Sequence, residues 1–180
     1  MNVFLISVQD VKDNSYLDNN IDDKTIKTAL LNAQEQMIEP VIGSKLYDKL
    51  IAGIQAGNLE LAYQNLIIQK IWKPLIHATL YMVARNLLYR YTNSSIVQDS
   101  NSNSTAIARS DLEVLRNEEE IAYKHHINKL QLYLTANSGT YPEYYQADPD
   151  DLIAENGQNA QSFYYDGPDL SSTGPSSRPY

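Results

Sequence analysis

The fold of this chain is decided by one long apolar stretch, Ile71–Leu88, which reads IWKPLIHATLYMVARNLL. Apolar side chains recur in it at the spacing of a single helical face. This stripe, predicted to form the core, consists of Trp72, Ile76, Leu80, Val83 and Leu87. Its flanks are apolar as well, so the helix is predicted to be central and buried widely. The pattern stays helical from Leu59 to about Tyr91, with Pro74 marking a kink or a fresh start.

Two further helices are predicted upstream of this stretch. The first begins near Asp22 and Asp23, because acidic side chains are favourable at the positive end of a helix. Its apolar stripe is Ile26, Leu30, Ala33 and Met37. Pro40 is expected to end or bend it. A shorter helix follows Gly43, with Ser44 as a candidate N-cap. The buried edge of that helix is Leu46, Leu50 and Ile54.

The composition changes abruptly downstream of the central helix. Residues 92–110 are rich in Ser, Thr and Asn, which predicts a long polar loop, with a short strand at Ser95–Gln98 as an option. Helix resumes with Ser110 or Asp111 as its cap and continues to about Ala136. We therefore predict a mainly α fold, a small bundle of about four to five helices, with residues 1–136 as its single domain.

Residues 137–180 lose helical periodicity and hold five of the seven prolines and six of the 14 tyrosines. Low aliphatic content argues against an independent fold, so we predict an extended, mostly irregular C-terminal arm. Tyrosine is enriched at interfaces, and the arm is therefore predicted to order against a partner protein. An unstructured tail with incidental tyrosines is the alternative. The predicted partner-binding residues are Tyr141, Tyr144, Tyr145, Phe163, Tyr164, Tyr165 and Tyr180.

Charge and composition exclude several classes of protein. The formal net charge is -8, and residues 137–180 carry seven acids against one arginine, so the other 136 residues together hold only -2. No large basic field is present for sequence-independent DNA binding. Cysteine is absent, which excludes a disulfide framework and a thiol nucleophile. The N-terminus predicts no signal peptide, and the apolar stretch is interrupted by charges, so no membrane span is predicted.

The sequence contains no recognisable catalytic or metal-binding motif. His125 and His126 are adjacent on a helix and point about 100° apart, so they are not expected to share a metal. His77 is predicted to be a packed or half-exposed helix residue, and the run Glu118–Glu120 a solvated helix face. The segment Asp148–Asp151 lacks the ligand spacing of a calcium loop. Neither a phosphate-binding glycine loop nor a nucleophile elbow is present, so no catalytic residue, cofactor or metal ligand is predicted.

Basic residues recur on the central helix and leave one alternative open. They are Lys70, Lys73, Arg85 and Arg90, and with the neighbouring tyrosines Arg90 is able to contact phosphates. Helix solubility and compensation of the helix dipole by Arg90 are the favoured interpretation. A helical nucleic-acid-binding regulator is therefore the alternative function, and a hydrolase or metal enzyme with a site beyond sequence recognition is another.

Several short motifs occur in an order that suggests a family. They are Leu5-Ile-Ser, Ile21-Asp-Asp-Lys, Ala33-Gln-Glu, Ile38-Glu-Pro, Ile42-Gly, Leu46-Tyr-Asp-Lys-Leu, Ile71-Trp-Lys-Pro-Leu, Tyr91-Thr-Asn-Ser, Leu112-Glu-Val-Leu-Arg and Tyr141-Pro-Glu-Tyr. In this order the chain resembles the head–tail connector, or adaptor, proteins of tailed bacteriophages, closest to the ring-forming connectors of crAss-like phages. The resemblance covers residues 1–145 and rests on the order of the motifs, since each is degenerate.

The resemblance implies a structural virion protein without catalytic activity or cofactor. Such subunits form a homo-oligomeric ring of twelve copies beneath the portal, join it to adjacent tail or ring proteins, and extend the channel through which genomic DNA passes without specific binding. A long loop toward the channel is implied, here residues 92–110, with channel-facing candidates Ser94, Ser95, Gln98, Asn101 and Asn103. The implied location is the neck of the virion, and the host cytoplasm during assembly, with no membrane contact.

Overall fold

The computed structural model describes residues 3–17, 21–91, 96–98 and 109–146, and within these the chain is mainly α-helical, as the sequence predicts. The α-helices are α1 (Val8–Asp13), α2 (Asp23–Ala33), α3 (Glu39–Ile42), α4 (Ser44–Ala56), α5 (Leu61–Leu66), α6 (Trp72–Leu88) and α7 (Arg109–Ala136). Two π-helical turns, Gln34–Ile38 and Ile67–Ile71, join α2 to α3 and α5 to α6. A 3₁₀ helix follows at Pro142–Tyr145.

Helix α6 is the element against which both α2 and α7 pack, so the predicted central helix is confirmed. Ile76, Leu80 and Val83 are buried, as its apolar stripe predicts. Trp72 is only partly buried and packs at the edge of the core, as large indole rings often do. Leu87 lies within α6, but its side chain is outside the part that the structure describes.

Both helix-internal prolines follow a π turn, which explains why neither ends its helix. Pro40 is the second residue of α3 and Pro74 the third of α6. A proline removes one backbone hydrogen bond, and its ring clashes with a carbonyl one turn back. A π turn places an extra residue in the preceding turn, so helical backbone continues past the proline. The helical path therefore runs unbroken from Asp23 to Ile42.

The boundary between α3 and α4 differs from the prediction that Ser44 is an N-cap. Gly43 holds that position, with φ 78° and ψ 149°, a conformation that only glycine adopts readily. Ser44 is the first helical residue, and its hydroxyl donates instead to Oε1 of Glu39, 2.7 Å away. The chain therefore changes direction at Gly43, while Ser44 and Glu39 tie the two helices together.

A short antiparallel hairpin replaces the predicted end of the central helix. Tyr89–Tyr91 forms β1 and pairs with β2, Ile96–Gln98, in a register that places Arg90 opposite Val97. The prediction of helix to about Tyr91 was therefore too long by one turn, because residues rich in strand propensity close a hairpin here. The optional strand at Ser95–Gln98 is confirmed for its last three residues. Most of the predicted loop lies outside the described residues.

Helix α7 begins at Arg109, one residue before the predicted caps Ser110 and Asp111, and ends at Ala136 as predicted. The predicted domain boundary after Ala136 was wrong. Residues 137–146 fold back onto the helices, and Tyr141 and Tyr144 are each only 2% exposed within the core. The folded body therefore extends to at least residue 146, and the polar turn at 137–140 is a connection within it.

Among the helices of the described residues, none is long and apolar enough to cross a membrane.

Candidate interaction surfaces

A line of exposed apolar side chains runs along the outside of α7. Val114, Ile121 and Leu132 are 55%, 69% and 71% exposed. At 100° per residue these three positions fall within about 20° of one another around the helix. They lie on the opposite side from Ile127 and Leu130, which α7 buries in the core. We call Val114, Ile121 and Leu132 the outer stripe. Exposed large apolar groups aligned on one face are typical of an interaction surface.

A second apolar surface lies where the N-terminal segment passes α4 and α5. An open hollow of about 340 Å³ is lined by Phe4, Ile54, Leu59 and Ile68, which we call the N-terminal groove. An adjoining hollow of about 550 Å³ shares Phe4 and Ile54 and extends to Asp10. Ile68 is 66% exposed beside the first hollow. The concave surface is therefore apolar on its floor and open to a partner.

Two glycines help to shape this groove. A β-carbon on Gly53 would come within 2.5 Å of Cδ1 of Leu59, so α4 and the following loop pack closely there. Gly57 ends α4 in the left-handed conformation, with φ 66°. Both glycines line the hollow.

The buried amide of Gln34 fixes the N-terminal segment that forms one wall of the groove. Its Oε1 accepts from the backbone N–H of Leu5 at 2.7 Å, and its Nε2 donates to the carbonyl oxygen of Val3 at 3.2 Å. The same nitrogen donates to the hydroxyl of Tyr47 at 3.3 Å. Gln34 therefore supplies both a hydrogen-bond acceptor and a donor to the backbone of the N-terminal segment.

The segment after α7 is held by three polar side chains, Lys49, Tyr63 and Glu143, which we call the C-terminal latch. The Lys49 ammonium lies 2.7 Å from Oε1 of Glu143 and donates to the Tyr63 hydroxyl at 2.7 Å. Tyr63 also donates to Oε2 of Glu143 at 2.9 Å. Burial opposes ionisation of Glu143, but the hydrogen bonds from Lys49 and Tyr63 outweigh it and lower the pKa of that carboxyl.

Aromatic packing beside the latch closes the same end of the fold. The Tyr141 ring lies edge-on to Tyr63, with ring centroids 5.4 Å apart, and its hydroxyl donates to the carbonyl of Ala62 at 3.1 Å. The Tyr133 and Tyr141 hydroxyls are 3.3 Å apart. Burial raises the pKa of Tyr144 to about 12. These rings are used inside the chain, so the prediction that Tyr141 and Tyr144 bind a partner was wrong.

The remaining predicted arm residues have different outcomes. Tyr145 is 42% exposed beside the buried Tyr144, so its role as a partner-binding residue stays a prediction. Four further aromatic residues, Phe163, Tyr164, Tyr165 and Tyr180, lie outside the described residues.

The predicted channel-loop residues are also mostly beyond what the structure describes. Gln98 is the last residue of β2, paired with Tyr89. Ser94, Ser95, Asn101 and Asn103 lie outside the described residues.

Helices α6 and α7 bring the histidines together in a way that the sequence did not predict. His77 Nδ1 lies 2.8 Å from Oε2 of Glu119, and its ring stacks on His126 with centroids 5.4 Å apart. Glu119, predicted on a solvated face, has a side chain only 12% exposed. Burial, with His77 and His125 nearby, lowers the pKa of His126. Among the described residues, no group of three or more metal-ligating side chains is placed to hold an ion.

Of the basic residues predicted on the central helix, Lys70 is engaged within the chain. The ammonium of Lys70 lies 4.6 Å from the centroid of the Tyr133 ring, a cation–π contact. Lys124 pairs with Glu120 on α7. Lys73 is exposed, whereas the side chains of Arg85 and Arg90 are outside the described part of the chain.

Sequence reasoning missed Gln34 and the latch for different reasons. Gln34 directly follows Ala33 of the predicted stripe. Its place beside an apolar face could have indicated a buried polar side chain. Lys49 and Glu143 are 94 residues apart, and no local pattern connects them.

The fold and its surfaces define a small helical domain with two exposed apolar surfaces and, among the described residues, no assembled metal-ligand cluster. The chain belongs to the family described as "Family of unknown function (DUF6712)", whose model matches residues 38–150. No curated protein and no solved structure matches it.

Proposed function

We propose that this chain is a structural subunit of a phage head–tail connector, forming a ring of twelve copies beneath the portal. The observation that carries the proposal is the pair of apolar surfaces, the outer stripe on α7 and the N-terminal groove. A closed ring of identical subunits uses a head-to-tail interface, which needs two different surfaces on each subunit. The ordered motifs over residues 1–145 supply the second support.

The electrostatics of the chain suit a channel wall better than a DNA-binding surface. The net charge is -8, so the chain as a whole repels phosphate. Lys12 pairs with Asp23 at 2.8 Å, and Lys49 with Glu143 at 2.7 Å. Lys70 lies against an aromatic ring. A duplex that has to slide through a ring is best served by a lumen that does not hold it tightly.

The proposal makes the chain non-catalytic and free of a cofactor. Glu119 and His77 pair with each other in a largely covered position between α6 and α7. The latch carboxylate of Glu143 is occupied by Lys49 and Tyr63. These contacts hold helices and the C-terminal segment in place, which is a structural use of titratable groups. The proposed location is the virion neck.

A DNA-binding assay separates this proposal from the alternative of a nucleic-acid-binding regulator. The full-length chain is titrated against fluorescently labelled duplex DNA at low and at physiological salt, with anisotropy as the readout. The proposal predicts no saturable binding at physiological salt. Tight binding with a steep salt dependence would contradict it, because that dependence reports phosphates neutralised by the protein.

A further inference from the structure

We infer that the outer stripe of one copy packs into the N-terminal groove of the next copy. The inference rests on the proposed ring and assigns the two surfaces of its repeating interface. The relevant half of the stripe is Ile121 to Leu132, a helix segment about 17 Å long. Both ends of this segment are exposed, at 69% and 71%.

The two surfaces have matching shapes. The stripe is a convex ridge of separate apolar side chains along a straight helix. The groove is concave, with Phe4, Ile54 and Leu59 lining it and Ile68 standing beside them. Gly53 and Gly57 add no side chains to its lining, which leaves room for side chains from a neighbour. A ridge entering a groove buries apolar area on both sides, which is the main source of association energy.

Charge favours the outer stripe of a second copy over the chain's own C-terminal segment as the group that fills the groove. The segment Ile121–Leu132 contains the exposed Lys129 and no acidic residue. Asp10 lines the second hollow, the exposed Glu60 follows Leu59 of the first, and among the residues that the structure describes no Lys, Arg or His lines either hollow. Residues 147–180 carry six acids against one arginine, so that segment would meet like charge there. A basic helix face is the better electrostatic complement.

The geometry of α7 favours a contact between copies over a contact within one. Helix α7 buries Ile127, Leu130 and Leu134 toward its own core. The stripe therefore points away from the body that contains the groove. Stripe and groove are different surfaces, so each copy offers both, and the contact repeats head to tail until rotation closes it.

Cysteine cross-linking tests the contact directly, because the natural chain has no cysteine to confuse the readout. Full-length Ile68→Cys and Leu132→Cys chains are mixed and oxidised, since both positions are exposed and the substitutions spare the core. Lys27→Cys, exposed on α2, is the matched control partner. We expect disulfide-linked pairs between Ile68→Cys and Leu132→Cys chains, and loss of that product when either is paired with Lys27→Cys.

Variants that place a negative charge on one of the two apolar surfaces give a second, independent test. Ile68→Glu blocks the groove but leaves the stripe, whereas Leu132→Glu blocks the stripe but leaves the groove. Each variant alone is expected to lose self-association, and their mixture to form one-to-one pairs and nothing larger. Circular dichroism of each variant checks that it remains folded.

Three outcomes would overturn the inference. Cross-links joining only two Leu132→Cys chains would show a stripe-to-stripe contact. An intramolecular disulfide in a chain that carries both Ile68→Cys and Phe163→Cys would show that the C-terminal segment fills the groove. Rings that assemble normally from Ile68→Glu would remove the groove from the interface while leaving the proposed ring intact.

Discussion

At the scale of single residues, a few buried polar groups decide how the chain's ends meet its helices. Gln34 is 0% exposed and satisfies backbone groups of both Val3 and Leu5. A buried donor or acceptor without a partner costs about 1–3 kcal/mol. The first π turn contains this residue, so an irregular helix and the docking of the N-terminal segment are linked.

Replacing Gln34 with Leu is expected to lower the free energy of unfolding by about 1–3 kcal/mol, because the Leu5 N–H loses its buried acceptor. Urea unfolding followed by circular dichroism measures the change. Gln36→Leu is the matched control, exposed in the same π turn, and should change stability by less than about 0.5 kcal/mol. Equal effects of the two substitutions would show that the Gln34 contacts contribute nothing specific.

The latch predicts a pH dependence with a defined sign. The pKa of Glu143 lies below its usual value of 4.5 in the folded chain, so the folded state binds its proton less readily than the unfolded state. Its contribution is therefore fully present above about pH 4.5 and is lost as pH falls through the lowered pKa. Glu143→Gln is expected to lower the free energy of unfolding by about 1 kcal/mol at neutral pH, a modest loss because Lys49 is partly exposed to solvent. The variant is also expected to lose less stability than the natural chain as the pH falls, because the amide does not titrate.

Unfolding in urea at a series of pH values measures this effect. Glu120→Gln is the control, because its partner Lys124 is 66% exposed and surface pairs contribute little. If Glu143→Gln and the natural chain lose stability in parallel between neutral pH and acid, the latch does not titrate as described.

At the scale of elements, the path of the chain depends on the two π turns as well as on the regular helices. The periodic stripes predicted that α2, α4 and α6 exist and which faces they bury, although the end of α6 and the N-cap of α4 differ from the prediction. The two π turns were not predictable, since each depends on an added residue that propensity does not report. Pro40 and Pro74 are visible in the sequence, but whether a proline ends a helix depends on the turn before it.

Gly43→Ala is expected to destabilise the fold by about 1–3 kcal/mol, because an alanine at φ 78° and ψ 149° is strained whatever space surrounds it. Gly139→Ala is the matched control, since no atom lies within 4 Å of its β-carbon position and its φ is not positive. Thermal unfolding of the two variants compares them. A loss for Gly139→Ala as large as for Gly43→Ala would refute a conformational role for Gly43.

At the scale of the whole molecule, the folded body continues past residue 136 and includes residues 137–146. Sequence composition placed the boundary early, because the turn at 137–140 and the tyrosines after it look like the start of a tail. The contacts that overrule composition are long-range. Tyr141 meets Ala62, and Glu143 meets Lys49. Contacts between residues this far apart in sequence produce no periodic pattern. The pairing of His77 with Glu119 was missed for the same reason.

Two truncations test this boundary. A chain ending at 146 should unfold at the same urea concentration as the full chain, whereas one ending at 136 should lose several kcal/mol. Removing a single buried aromatic side chain costs about 3–5 kcal/mol, and this truncation removes both Tyr141 and Tyr144. Identical stability of the two truncated chains would show that residues 137–146 do not belong to the folded body.

The native mass of the portal ring from the same genome, measured by light scattering before and after addition of the full-length chain, tests the central claim most directly. The account predicts a complex of fixed stoichiometry, in which twelve copies of the 20.4-kDa chain add about 245 kDa. A portal ring whose mass stays unchanged at saturating chain would contradict a connector that binds the portal.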